Sequence, residues 1–318
     1  MFNKFSKFFK YFLLLAFVMT SFACPILAKE IRIVQFSDIH LDTKNPDKKV
    51  RKFAQSVPML QKAIFKTNIL APNIVVFSGD MVNKPLESEF DVFMKNAKKL
   101  TPRFYPVFGN HDVGVGGGLS KAILISKINQ NCPWLKLEKP YYYVIRDEYI
   151  FIFLDGTTDK AITSIGTFSQ ENLNFLDKTL TEYADKKAII VQHFPLITPF
   201  KSLSHEISNK EEYFKILDKH NNVIMVLAGH YHSANSTVRN NVLHVTTPSM
   251  IEYPHGFRYL TVNSEKDKIT IQSQMFYDAE QNADEDASLP INKLKMGLKK
   301  DNFYKVTLKN NIDSPKGE

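Results

Sequence analysis

An α/β fold is predicted for this chain on three observations. From Ile31 onward, short apolar runs of strand type alternate with stretches of helical character. Several of those runs are apolar almost throughout, as strands buried on both faces are. Polar side chains of catalytic type stand where the runs stop, and in open α/β sheets the C-terminal edge of the strands is where ligands bind.

The first 28 residues precede this pattern. Lys4, Lys7 and Lys10 lead into the apolar run from Tyr11 to Val18 and then into small residues, the order of a secretory signal. The run is too short for a comfortable membrane span, and Pro25 interrupts the stretch after it. Cleavage after Ala28 and export to the periplasm or the exterior are expected. Lipidation of Cys24, as in bacterial lipoproteins, is the alternative, although an aliphatic residue would be expected where Ser21 stands. After cleavage Cys132 is the remaining cysteine, so no internal disulfide can form.

A chain of 318 residues that is 44% hydrophobic can bury a sizeable core, and 29–278 is read as one domain. Without 1–28 the net charge falls from +8 to +5, a mild excess spread over the surface. No Lys/Arg block resembles a nucleic-acid stripe.

Ile31–Phe36 is the first predicted strand and ends in Ser37-Asp38-Ile39-His40. A helix is predicted from about Val50 to Leu70, with a break or kink at Pro58. Asn73–Phe77 is the second strand and runs into Ser78-Gly79-Asp80; Glu87 to Leu100 reads as a helix with acids in its first turn and lysines in its last. Val107 and Phe108 end the third strand, and Gly109 is expected to turn the backbone so that Asn110, His111 and Asp112 emerge together. Gly114 and Gly116 to Gly118 match no phosphate-loop fingerprint and are read as a flexible loop beside the site.

Tyr141–Ile145 and Tyr149–Leu154 are predicted as strands joined by a turn. Ser169 caps a helix whose apolar stripe is Leu173, Leu176 and Leu180. Ala188–Gln192 delivers His193, and Val223–Leu227 delivers Gly229-His230-Tyr231-His232. Val238 to Thr247 and Phe257 to Met275 read as further strands without intervening helices. From Ala279 the chain is polar, acidic and then lysine-rich, and 279–318 is expected to be a surface extension, with membrane contact through this basic tail or a lipidated Cys24 as the alternative role.

Five strand ends therefore carry metal-type side chains: Asp38 with His40, Asp80, Asn110 with His111, His193, and His230 with His232. Unpaired carboxylates and imidazoles buried there would be costly, and a metal cluster is the economical account. Residues i and i+2 of an extended segment share a side, so Asp38 and His40 can reach one ion; Asp80, placed centrally, can bridge two. Imidazole, carboxylate and amide donors suit Mn, Fe or Zn as divalent or trivalent ions.

In this ordered set the sequence strongly resembles the calcineurin-like metallophosphoesterases. Asp38-Ile39-His40, Gly79-Asp80, Gly109-Asn110-His111-Asp112, His193 and Gly229-His230-Tyr231-His232 carry that resemblance. It implies a four-layer α/β/β/α sandwich of two mixed sheets with a dinuclear site at the strand C-terminal ends. It implies one ion held by Asp38, His40, Asp80 and His232, and a second by Asp80, Asn110, His193 and His230. Gly166–Leu173 and Val191–Pro195 look most like the cyclic-nucleotide phosphodiesterase branch, although Asn83 stands where that branch usually has an aspartate.

The expected function is an exported phosphodiesterase, with a phosphomonoesterase or nucleotide pyrophosphatase, or a non-catalytic metal-stabilised binding module, as alternatives. The substrate is a small phosphate ester or a lipid head group. Hydroxide shared by two cations would attack phosphorus, and His111 would stabilise the transition state or protonate the departing alkoxide, its ring oriented by Asp112. His205, His220, His244 and His255 are read as non-ligands, Arg258 as packing, and Tyr231 as a wall of the substrate pocket.

Overall fold

The computed structural model describes residues 29–116, 118–283 and 285–312. The expected signal segment, the Cys24 lipidation site and Gly117 lie outside them. Among the described residues no helix is long and apolar enough to cross a membrane.

Two six-stranded mixed sheets form the centre of the molecule. The first runs β12 (Phe303–Lys309), β11 (Lys268–Tyr277), β10 (Gly256–Ser264), β1 (Lys29–Phe36), β2 (Ile74–Ser78) and β3 (Phe104–Val107). The second runs β4 (Tyr142–Arg146), β5 (Tyr149–Phe153), β6 (Lys187–Val191), β7 (Val223–Ala228), β9 (Val242–Thr246) and β8 (Asn235–Arg239). β1, β2 and β3 are parallel, as are β5, β6, β7 and β9. All of these parallel strands thus end at the same edge of their sheet, which gathers the polar strand ends.

The strand period of two sorts the core into layers. On β5, Phe151 and Phe153 join the larger cluster, which also takes in β1, β2 and the helices α1 (Ser56–Leu70), α2 (Glu87–Ala97) and α3 (Lys121–Asn131). Ile150 and Ile152 face the other way, into a second cluster beneath α4 (Gln170–Glu182) and α5 (Lys210–Lys219). The result is the α/β/β/α sandwich, its two sheets packed through the larger cluster. Ser169 caps α4 as expected, its hydroxyl accepting the Asn172 amide at 3.2 Å.

Several expectations are corrected. α1 begins at Ser56, not near Val50, and Pro58 falls in its first turn, where a missing N–H costs no helical hydrogen bond. The strands expected over Val238 to Thr247 are present as the antiparallel pair β8 and β9, which starts earlier, at Asn235, and is joined at Asn240 and Asn241, both with positive φ. The tail after Ala279 is built into the domain instead of extending from it. It forms α6 (Ala279–Ala283), α7 (Pro290–Met296), α8 (Lys299–Asn302) and the edge strand β12, paired antiparallel with β11. β12 buries Leu308 fully and Tyr304 and Val306 in part, alternating with the exposed Phe303, Lys305, Thr307 and Lys309. Arg258 is fully buried and donates to the Thr246 and Asp301 carbonyls and to the Thr247 and Ser273 hydroxyls, so it packs the tail onto β10.

Candidate metal centre

Five of the polar residues leave their strands through turns that few conformations allow. Asp38, His40, Asp80, His230 and His232 all have positive φ, between 45° and 70°, a region sparsely populated by non-glycine residues and one where strain concentrates at functional sites. The extended geometry expected for Asp38-Ile39-His40 is therefore replaced by left-handed turns, pinned by Asp38 N–H to Gly79 O at 3.0 Å and His40 N–H to Asp80 O at 2.9 Å. Gly109 is required for a different reason from the one expected. Its φ is not left-handed; a Cβ there would stand 2.1 Å from Asp80 Oδ1. A Cβ on Gly229 would stand 1.8 Å from Ser37 Oγ.

These turns bring the predicted donors together. Asp38, His40, Asp80 and His232 form one buried group and Asp80, His193 and His230 a second, the donor atoms within each lying within 4.8 Å of one another. His232 Nε2 is 3.0 Å from His40 Nε2 and 3.3 Å from Asp38 Oδ1; Asp80 Oδ2 is 3.5 Å from His40 Nε2 and 3.3 Å from His193 Nε2. His230 Nδ1 is 3.2 Å from His193 Nε2. Asp80 thus stands in both groups.

On three of the four rings the far side fixes which nitrogen faces inward, while His40 Nδ1 is buried with no hydrogen-bond partner among the described residues. His193 Nδ1 meets Ser78 O at 2.8 Å, His230 Nε2 meets Ser164 O at 2.8 Å, and His232 Nδ1 meets Glu252 Oε1 at 3.0 Å. An N–H given outward to a carbonyl or carboxylate leaves the inner nitrogen a lone pair, the arrangement that orients metal-binding imidazoles. Inner nitrogens at 3.0–3.2 Å approach this closely only with a shared proton or a cation between them. Asn110 Oδ1 is buried with no hydrogen-bond partner. The donor set therefore fits two cations that share Asp80.

The charges agree with this geometry. Burial pushes the Asp80 carboxyl up, but the imidazoles of His193, His111 and His40 hold it well below the usual range. Burial opposes protonation of His193 and His232, yet Asp80 lifts the first and Glu252 with Asp38 the second, each to about 9. Burial holds His40 and His230 well below 6.5.

His111 lies at the edge of the centre, its ring edge-on to His40 at 4.6 Å. Its N–H is fixed by Asp80 Oδ1 at 2.8 Å, and its Nδ1 meets Asn83 O at 2.8 Å. Asp112, expected to orient that ring, instead accepts the Val82 and Gly109 amides and braces the turn. Burial and the Asp80 charge push the Asp112 carboxyl up to about 7. The departure at Asn83 also has a cause: its amide donates to Asp42 Oδ2 at 2.6 Å, where an aspartate would face a like charge.

The sequence reading missed Glu252, Arg51 and Lys295. All three line the cavity of about 240 Å³ over the donors, as do His205 and the expected Tyr231. Glu252 had one signal, a lone acid in the apolar stretch from Met250 to Tyr253; the two cations had none. His220 pairs with Asp177, and His244 and His255 are buried away from the donors.

Residues 31–234 match the calcineurin-like phosphoesterase family. A probable glycerophosphodiester phosphodiesterase of Arcobacter nitrofigilis is 28% identical over 68% of this chain and 77% of its own. A 3',5'-cyclic-nucleotide phosphodiesterase of Nostoc is 24% identical over 69% and 78%. A crystallised dimetal phosphatase from Danio rerio superposes with a TM-score of 0.61 at 17% identity, over 76% of this chain and 95% of that one, and shares the fold.

Proposed function

This chain belongs to the calcineurin-like phosphoesterases and is a metal-dependent phosphoric ester hydrolase, and from that premise we propose that it is a phosphodiesterase. The observation that carries the proposal is the room around the centre. The donors open on two neighbouring cavities, one of about 240 Å³ above His230 and His232 and one of about 670 Å³ lined by Val113, Ile162 and Ile165, with Asn110, His111 and Ser164 common to both. A diester needs space on both sides of phosphorus, whereas a monoester needs it on one. The names of the Arcobacter and Nostoc relatives support the same reading.

We propose that Asp38, His40, Asp80 and His232 hold one ion, and Asp80, Asn110, His193 and His230 the other. Such a pair, when bound, supplies an activated water and neutralises charge on the phosphoryl oxygens. The chain's own residues do the rest. Asn83 O fixes His111 Nδ1–H, so Nε2 is the atom that can hand a proton to the departing alkoxide. The larger cavity beyond His111 has the room to receive that alcohol. We also propose that the protein acts outside the cytoplasm, on the strength of its first 28 residues; mass spectrometry of the mature N-terminus would read cleavage after Ala28, and an intact Met1 would refute it.

The test of the reaction is hydrolysis of bis-p-nitrophenyl phosphate beside p-nitrophenyl phosphate by the Mn²⁺-loaded protein, with Asp80→Ala as the blank. Faster diester cleavage that vanishes in the variant is expected; preference for the monoester would overturn the proposal. His111→Ala should lower turnover about 10²–10⁴-fold on a diester with a poor leaving group, with metal content unchanged.

A further inference from the structure

The cavity over the donors has a positive wall that hydrolysis of a simple diester does not use. Glu252 accepts Arg51 Nε–H through Oε1 at 2.5 Å, while Lys295 Nζ binds its Oε2. The same carboxylate already meets His232 Nδ1 at 3.0 Å. One cation would balance Glu252, and here there are two. Both side chains are partly exposed, 29% and 16%, and both line the cavity over the donors. Once Asp38 and Asp80 are engaged by metal ions, Glu252 alone faces the two cations, and a bound anion would complete the pairing.

Both cations also retain unused donors. Arg51 engages its Nε, and neither Nη has a hydrogen-bond partner among the described residues; Lys295 engages Glu252 alone. A guanidinium edge and an ammonium side by side match the oxygens of a phosphate or carboxylate. Their position is selective too, since they line the cavity above His230 and His232 and not the larger one beyond His111. They would therefore meet the arm of the substrate that stays on phosphorus while the alcohol over His111 departs. Lys295 arrives from α7, outside the part of the chain that matches the family.

We propose that Arg51 and Lys295 form an anion subsite, and that the substrate is a phosphodiester whose retained alcohol bears a second negatively charged group. This rests on the phosphodiesterase reading above, and the experiment separates the two. The full-length Mn²⁺-loaded protein is assayed with p-nitrophenyl thymidine 5'-phosphate and with the same ester carrying a 3'-phosphate. The wild type should prefer the 3'-phosphorylated ester by about tenfold or more in kcat/KM, as charge-assisted hydrogen bonds allow. Arg51→Gln and Lys295→Gln should each bring that ratio toward one, and Lys295→Arg should retain it. If the two cations merely hold Glu252 against His232, both esters slow alike and the ratio stays, which overturns the subsite.

Calorimetric binding of thymidine 3',5'-bisphosphate against thymidine 5'-monophosphate reads the subsite without turnover. A bisphosphate preference that both glutamine variants lose, in a protein that cleaves neither ester, would sink the reaction and keep the subsite. Cleavage of both esters with no preference in either assay would keep the reaction and sink the subsite.

Discussion

The two halves of the metal centre share Asp80 and are otherwise built from different materials. The half made by Asp38, His40, Asp80 and His232 has two carboxylates, and a third, Glu252, backs its outermost imidazole at 3.0 Å. The half made by Asp80, His193 and His230, with Asn110 beside it, has one carboxylate, and its rings are backed by the neutral carbonyls of Ser78 and Ser164. A divalent ion gains more Coulomb energy in the first half, and a carboxylate behind an imidazole raises its basicity as a ligand. The first half is accordingly expected to bind its ion more tightly, leaving the second ion the more exchangeable.

Asp80→Ala removes what the halves share and should have the largest effect: loss of both ions by elemental analysis and a fall in turnover on the order of 10³-fold or more, since several kcal/mol of charge stabilisation go with the metals. Retention of one tightly held ion would show that the halves are more independent than the shared carboxylate implies. Gly229→Ala strikes the Asp38 half. The new Cβ would meet Ser37 Oγ and also stand 2.4 Å from Asp38 Oδ2, so the turn that hydrogen-bonds His230 N–H to Asp38 must shift. Thermal or denaturant unfolding should show a loss of about 1–3 kcal/mol, the usual cost of overpacking.

Glu252→Gln tests the difference between the halves. It should weaken the tighter site about 10–100-fold in a two-site metal titration and leave the other nearly unchanged. Equal weakening of both sites would mean that the Glu252 charge does not set them apart. The smallest effect concerns protons. In each half one imidazole, His232 or His193, is held up to about 9, while burial keeps its neighbour, His40 or His230, well below 6.5. Below pH 9 an incoming ion must displace the proton of the raised imidazole, so affinity should rise with pH toward 9. Calorimetry in buffers of different ionisation enthalpy should find about one proton released per ion near pH 7.5. Release confined to one ion would separate the halves by protonation as well as by charge.

The metal-type residues were legible because each lies at the end of a local pattern: an apolar run marks a buried strand, and the residues after its last position must emerge at the sheet edge. The same logic made most strands readable and three of the eight helices among the described residues, α1, α2 and α4; it passed over β12, where Tyr304, Val306 and Leu308 alternate inward with the exposed Phe303, Lys305, Thr307 and Lys309. It also assigned Asp112 to His111, because adjacent residues in a sequence look like partners. In the fold, the carbonyl of Asn83, 28 residues away, holds that ring.

By itself, then, the order of residues determined the strand ends, the donor types and their shared edge, since short-range periodicity and burial suffice for those. Tertiary structure alone decided the left-handed turns that aim Asp38, His40, Asp80, His230 and His232, and the close approaches that require Gly109 and Gly229. It alone decided that Glu252, Arg51 and Lys295 meet at one side of the centre. Glu252 and Lys295 are 43 residues apart and Arg51 is 201 from Glu252, separations at which no local preference acts. Their meeting depends on the tail folding back to pair β12 with β11 and to seat α7 beside the metal centre.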